Sequence, residues 1–122
     1  MNVKMRILIC EDDFMMLKMI EHKLLKEGYV IDLAKDGKMA LEKLRENNYD
    51  LVITDLLMPF VTGLEVINFI RNELGKKTPI IVLSKLGMEK TVLQAFDLGA
   101  DEYIVKPFSP SELMVRIKKL LR

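Results

Sequence analysis

The strongest constraint on this chain is a regular alternation of short apolar runs with longer stretches of helical spacing. Residues 6–10 (Arg-Ile-Leu-Ile-Cys), 30–34 (Val-Ile-Asp-Leu-Ala), 51–54 (Leu-Val-Ile-Thr), 79–84 (Pro-Ile-Ile-Val-Leu-Ser) and 102–105 (Glu-Tyr-Ile-Val) have the length and content of strands. Helical spacing follows each one. Leu17, Ile20 and Leu24 share a face over 13–27, as do Ala40, Leu41 and Leu44 in a helix ending near Asn47-Asn48. Further helices are predicted from Thr62 to about Leu74 and from about Met88 to Leu98, and a last one carries Leu113, Ile117, Leu120 and Leu121. Gly28, Gly75 and Gly99 stand where helices should stop. Thr62-Gly63-Leu64-Glu65 and Ser109-Pro110-Ser111-Glu112 read as capping boxes, the second with proline at the favoured first helical position. Five strands alternating with five helices imply an α/β fold, a doubly wound parallel sheet with helices on both faces. Asp32, interrupting the second strand, predicts an edge position for it.

Composition narrows the class. At 122 residues, with half of them apolar and 30% charged, the chain suits one globular domain spanning 1–122. It also suits a piece cut from a longer chain. The net charge of +1 supplies no field for nucleic acid or an anionic membrane, so direct nucleic-acid binding is not expected. A single cysteine, Cys10, cannot form an internal disulfide and reads as a small buried residue. There is no export signal and no apolar run long enough to span a bilayer, so a cytoplasmic protein is expected.

Polar residues collect at the strand ends. Glu11 and Asp12 follow the first strand, Asp55 the third, Ser84 ends the fourth and Lys106 follows the fifth. In a parallel sheet these ends share one edge, where open α/β sheets bind ligands. Asp13 is the odd acid, best explained as a helix cap. Two unit charges ~4 Å apart repel by about 4 kcal/mol at an effective dielectric of 20, and one lysine does not neutralise three acids. A hard dication such as Mg²⁺ does. Carboxylate, metal, hydroxyl and lysine around one point suit phosphoryl chemistry, with Asp55 as the nucleophile.

These residues match a known family. The acidic pair Glu11-Asp12, Asp55 within Asp-Leu-Leu-Met-Pro, Ser84, and Lys106-Pro107-Phe108 together resemble the receiver domain of two-component response regulators, along essentially the whole chain. The resemblance implies a flavodoxin-like three-layer (βα)5 sandwich with strand order 2-1-3-4-5. It implies that a sensor histidine kinase passes a phosphoryl group to Asp55. The chain would then catalyse only its own phosphorylation and slow dephosphorylation. Mg²⁺ (or Mn²⁺) would be bound by Asp12, Asp55 and the backbone carbonyl of Leu57, with Glu11 acting through water. Ser84 would hydrogen-bond the phosphoryl group, Lys106 would ion-pair with it, and the Lys106–Pro107 bond would be cis. Tyr103 would be the aromatic switch that follows Ser84, reshaping an output surface made of the fourth helix, fifth strand and fifth helix.

Several positions depart from, or refine, that pattern. Lys85 stands where a small residue is common, and would partly cover the site. Leu57 and Leu86 replace polar groups that position attacking water in relatives with fast dephosphorylation, so a long-lived phosphoryl group is expected. Glu112 and Arg116, behind Asp101-Glu102-Tyr103, resemble the OmpR/PhoB-like subclass joined to winged-helix DNA-binding domains. Such receivers pair as homodimers on phosphorylation, through ion pairs for which Asp101, Glu102, Glu112 and Arg116 are the candidates. Val92 and Gln94 replace a basic residue usual in that interface. A haloacid-dehalogenase-like phosphatase is the competing enzyme class, but its second Asp would fall at Leu57. A constitutive interaction module is the third reading, and the intact set of five polar residues argues against it.

Overall fold

The computed structural model describes residues 4–121. Its strands are β1 (Arg6–Cys10), β2 (Val30–Ala34), β3 (Leu51–Asp55), β4 (Ile80–Lys85) and β5 (Glu102–Lys106). Its helices are α1 (Phe14–Lys26), α2 (Gly37–Glu46), α3 (Gly63–Asn68), α4 (Glu89–Leu98) and α5 (Pro110–Leu120). All strand pairs are parallel, and the sheet order is β2-β1-β3-β4-β5. Both the predicted architecture and the edge position of β2 are therefore found.

Strand alternation divides the core in two. Ile7, Ile9, Ile53, Ile81, Leu83 and Ile104 face Leu17, Ile20 and Leu24 of α1 and Leu113, Met114 and Ile117 of α5. Leu8, Cys10, Val52, Ile80 and Val82 face residues of α2, α3 and α4, among them Ala40, Leu44, Val66, Ile67, Val92 and Ala95. The central strand β3 is buried along its whole length, as a strand covered on both faces must be.

Local chemistry sets the helix starts. Asp13 caps α1 by accepting the Met16 N–H, and Asp36 caps α2 through Met39. Thr62 and Glu65 form both halves of a capping box at α3. At α5 only one half forms. Ser109 Oγ accepts the Glu112 N–H, but the Glu112 carboxylate lies toward Arg116 instead, 4.0 Å away. The helix predicted to run to Leu74 changes character after Asn68, where Phe69–Glu73 form a π-helical turn. The wider turn accompanies a set of bonds made by Arg71, whose guanidinium donates to the carbonyls of Lys76 and Gly99.

Candidate functional site

The site lies at the carboxyl edge of the sheet. β3 runs straight into Asp55, which is 4% exposed. The next loop keeps that carboxylate in place, because the Leu57 N–H donates to Asp55 Oδ1 at 3.2 Å. The start of α3 closes against it. Gly63 N–H donates to the Leu56 carbonyl at 3.0 Å, and a Cβ on Gly63 would stand 2.2 Å from the Asp55 carbonyl oxygen. Only glycine allows that approach.

β1 delivers Glu11 beside Asp55. Glu11 is fully buried, with one carboxylate oxygen accepting the Asp13 N–H at 3.2 Å and the other accepting from the Lys106 ammonium. Lys106 also donates to Asp55 Oδ2 at 2.7 Å. One ammonium thus bridges the ends of β1 and β3 from β5, across β4. Asp12 is exposed at the mouth, and carboxylate oxygens of Glu11, Asp12 and Asp55 lie within 4.8 Å of one another. Burial pushes the Glu11 carboxyl up to about 7, against the pull of Lys106, and neighbouring Asp55 adds to the rise. Burial works to lower the Lys106 ammonium, but Asp55 and Glu11 together hold it above its ordinary value. Three oxygen donors at that spacing fit a hard divalent cation.

Ser84 ends the buried part of β4, and its hydroxyl is buried without a hydrogen-bond partner among the described residues. Tyr103 is 40% exposed and packs edge-on against Phe96, with ring centroids 5.8 Å apart. Ser84, Tyr103, Phe96 and Val92 are among the residues lining a pocket of about 440 Å³. The Lys106–Pro107 bond is cis, as expected.

The chain belongs to the response regulator receiver domain family. The family's sequence profile matches residues 7–118. The transcriptional regulatory protein ResD of Bacillus subtilis is 44% identical over 96% of this chain and 48% of its own length. Response regulator ArlR of Staphylococcus saprophyticus is 42% identical over 96% of this chain and 52% of its own length. The chain therefore spans about half the length of these curated relatives. Among solved structures, the chemotaxis response regulator CheY4 of Vibrio cholerae superposes with a TM-score of 0.89 at 31% identity, covering 98% of this receiver and all of CheY4. No helix among the described residues is long and apolar enough to cross a membrane.

Within the receiver, Glu11, Asp12, Asp55 and Lys106 converge as expected. The residues named for dimer contacts are engaged within the chain. Arg116 donates to Glu102 at 2.7 Å, while Asp101 accepts from Arg71 at 3.1 Å and from the Ile80 N–H at 2.8 Å. Asp101 thereby holds the start of β4, a role that sequence spacing does not reveal. Two other features were not legible in the sequence. Phe60, next to Pro59, has φ 68 and is 91% exposed, an unusual backbone for an aromatic residue. β4 also runs one residue past its predicted end, which brings Lys85 into register with Lys106.

Proposed function

We propose that Asp55 accepts a phosphoryl group from a histidine of a sensor kinase. One carboxylate oxygen of Asp55 attacks phosphorus, the phosphorus–nitrogen bond breaks, and the electron pair returns to the imidazole, which takes up a proton. The observation that carries this reading is the position of Asp55: buried at the end of the central strand, bonded to Lys106, and grouped with two further carboxylates. Lys106 orients the attacking carboxylate and remains beside the oxygens that gain charge.

Asp12 and Asp55, with the Leu57 carbonyl, would hold Mg²⁺ (or Mn²⁺), and Glu11 would act through water. When bound, the cation would neutralise charge on the phosphoryl oxygens. The unpartnered Ser84 hydroxyl supplies a hydrogen bond to a phosphoryl oxygen. Its movement opens space for Tyr103, whose ring lies beside the same pocket. This reshapes α4, β5 and α5, a two-state output surface. Leu57, two residues after Asp55, and Leu86, two after Ser84, are 50% and 84% exposed, and neither can orient water, which supports slow hydrolysis. Names such as transcriptional regulatory protein ResD point to a DNA-binding effector beyond this chain, with pairing of receivers as the output. Such pairing through Glu102, Glu112 and Arg116 would exchange the present intrachain Arg116–Glu102 bond for one across the dimer.

Treatment with acetyl phosphate and Mg²⁺, read by intact mass, tests the acceptor. The expected outcome is one added phosphoryl group that requires Mg²⁺ and is absent in Asp55→Asn. Absence of transfer from both acetyl phosphate and a histidine kinase would favour a constitutive interaction module instead.

A further inference from the structure

We propose that Lys85 is a second cation of the Asp55 site, binding the phosphoryl anion together with Lys106. This rests on Asp55 being the acceptor. The argument begins with register. Asp55 of β3 pairs with Leu83 of β4, and Lys85 pairs with Lys106 of β5. Side chains alternate along a strand, which places Lys85 on the same face as Leu83 and Ile81, although the residue also borders the pocket beside α4. That is the face toward α1 and α5, which also carries Ile53, two residues before Asp55.

Reach follows from strand spacing. Neighbouring strands lie ~4.8 Å apart and rise ~3.3 Å per residue, which puts the Lys85 Cα roughly 8 Å from that of Asp55 and the Lys106 Cα roughly 12 Å away. The Lys106 ammonium nevertheless lies 2.7 Å from Asp55 Oδ2. Lys85 starts one strand closer, so its ammonium has the reach to join it.

Charge gives the reason. Like charges directly opposite on neighbouring strands are destabilising unless something compensates them. Lys106 is compensated by Glu11 and Asp55, whereas Lys85 is exposed and makes no ion pair among the described residues. Next in sequence to Lys85, the buried Ser84 hydroxyl also lacks a partner among the described residues. The Lys85 ammonium and the Ser84 hydroxyl lie on alternate faces of the strand end, and each lacks an acceptor among the described residues. Conversion of a carboxylate to an acyl phosphate adds roughly one negative charge and supplies several acceptor oxygens. A second lysine at this edge offsets the added charge.

The test follows phosphorylation by phosphoramidate with Mg²⁺, read by intact mass, in the wild type, Lys85→Arg, Lys85→Met and Lys85→Ala. In the reaction the Asp55 oxygen–phosphorus bond forms, the phosphorus–nitrogen bond breaks, and nitrogen keeps the electron pair and leaves as ammonia. Lys85→Met and Lys85→Ala are expected to need roughly 3- to 5-fold more donor for half-maximal rate, the upper scale of an exposed ion pair. Lys85→Arg should stay within about twofold, and the wild-type rate should fall more steeply with salt than that of Lys85→Met. A Lys85→Met protein that matches the wild type overturns the proposal, because chain length without charge then suffices. A Lys85→Ala protein faster than the wild type also overturns it, since Lys85 would then be only a cover. A wild type that takes no phosphoryl group on Asp55 overturns the acceptor reading itself, and this one with it.

Discussion

Asp32 shows how one polar residue is kept in a sheet at low cost. It sits on the edge strand β2, where its carboxylate accepts from the Tyr49 hydroxyl at 2.6 Å and the Arg6 guanidinium at 2.7 Å. Arg6 also lies over the Tyr49 ring, 5.3 Å from its centroid. Burial alone would raise the Asp32 carboxyl, but these two hydrogen bonds hold it below its ordinary range. The sign of the linkage follows. A carboxyl whose folded value is depressed contributes stability above its unfolded value of about 4, and that contribution is lost as pH falls through the lower folded value. Tyr49→Phe should therefore cost about 1–3 kcal/mol at pH 7, typical of a hydrogen bond to a charged group. Urea unfolding of both proteins between about pH 2 and pH 7 checks this. The gap should narrow on the acid side, and a gap independent of pH would exclude the charged pairing as its source.

At the scale of elements, the carboxyl edge depends on how α3 approaches β3. Gly63 is the contact. A methyl group there would meet the Asp55 carbonyl oxygen at 2.2 Å and the Leu56 Cα at 2.8 Å, both backbone atoms that cannot step aside. Gly63→Ala is expected to destabilise by about 3 kcal/mol or more through overpacking, and to slow phosphorylation of the protein that remains folded. Gly28→Ala is the comparison. Gly28 has φ 89 but open space around its Cβ position, so only the left-handed backbone is strained, at roughly 1–2 kcal/mol. Thermal unfolding of both variants, with phosphorylation rates alongside, separates the two causes. Equal losses of stability, or an unchanged rate in Gly63→Ala, would mean that this helix start does not position the site. Arg71 performs a comparable service at the far end of α3, where the π-helical turn accompanies its bonds to Gly99 and Asp101 across the α4–β5 connection.

For the molecule as a whole, the sheet separates two apolar layers that no single helix could cover. Cys10 reports on one of them, since it lies on β1 in the layer toward α2, α3 and α4 and is fully buried. Burial pushes its thiol up to about 12, and the hydrogen bond with Thr54 only moderates this. Labelling by a thiol reagent should then require global opening and run at least about 1000-fold slower than with a free thiol, given ordinary domain stabilities. Labelling rates across a urea series should track the unfolding equilibrium. Rapid labelling in native buffer would mean that the β1 end of the sheet opens locally.

The fold and most of the site were legible because their signals are local. The apolar runs have strand length, the intervening faces have helical period, and Glu11, Asp12, Asp55, Ser84 and Lys106 each sit at the end of a run. Once the strands are parallel, geometry alone puts those ends on one edge. What the sequence could not decide depends on partners distant along the chain. The commitment of Asp101 to Arg71 and Ile80 spans 30 and 21 residues, respectively, and is set by how α3 and β4 pack. The π-helical turn after Asn68 and the backbone of Phe60 answer to tertiary fit rather than to propensity. The pairing of Lys85 with Lys106 rests on a strand register, and a register exists only when two strands lie side by side.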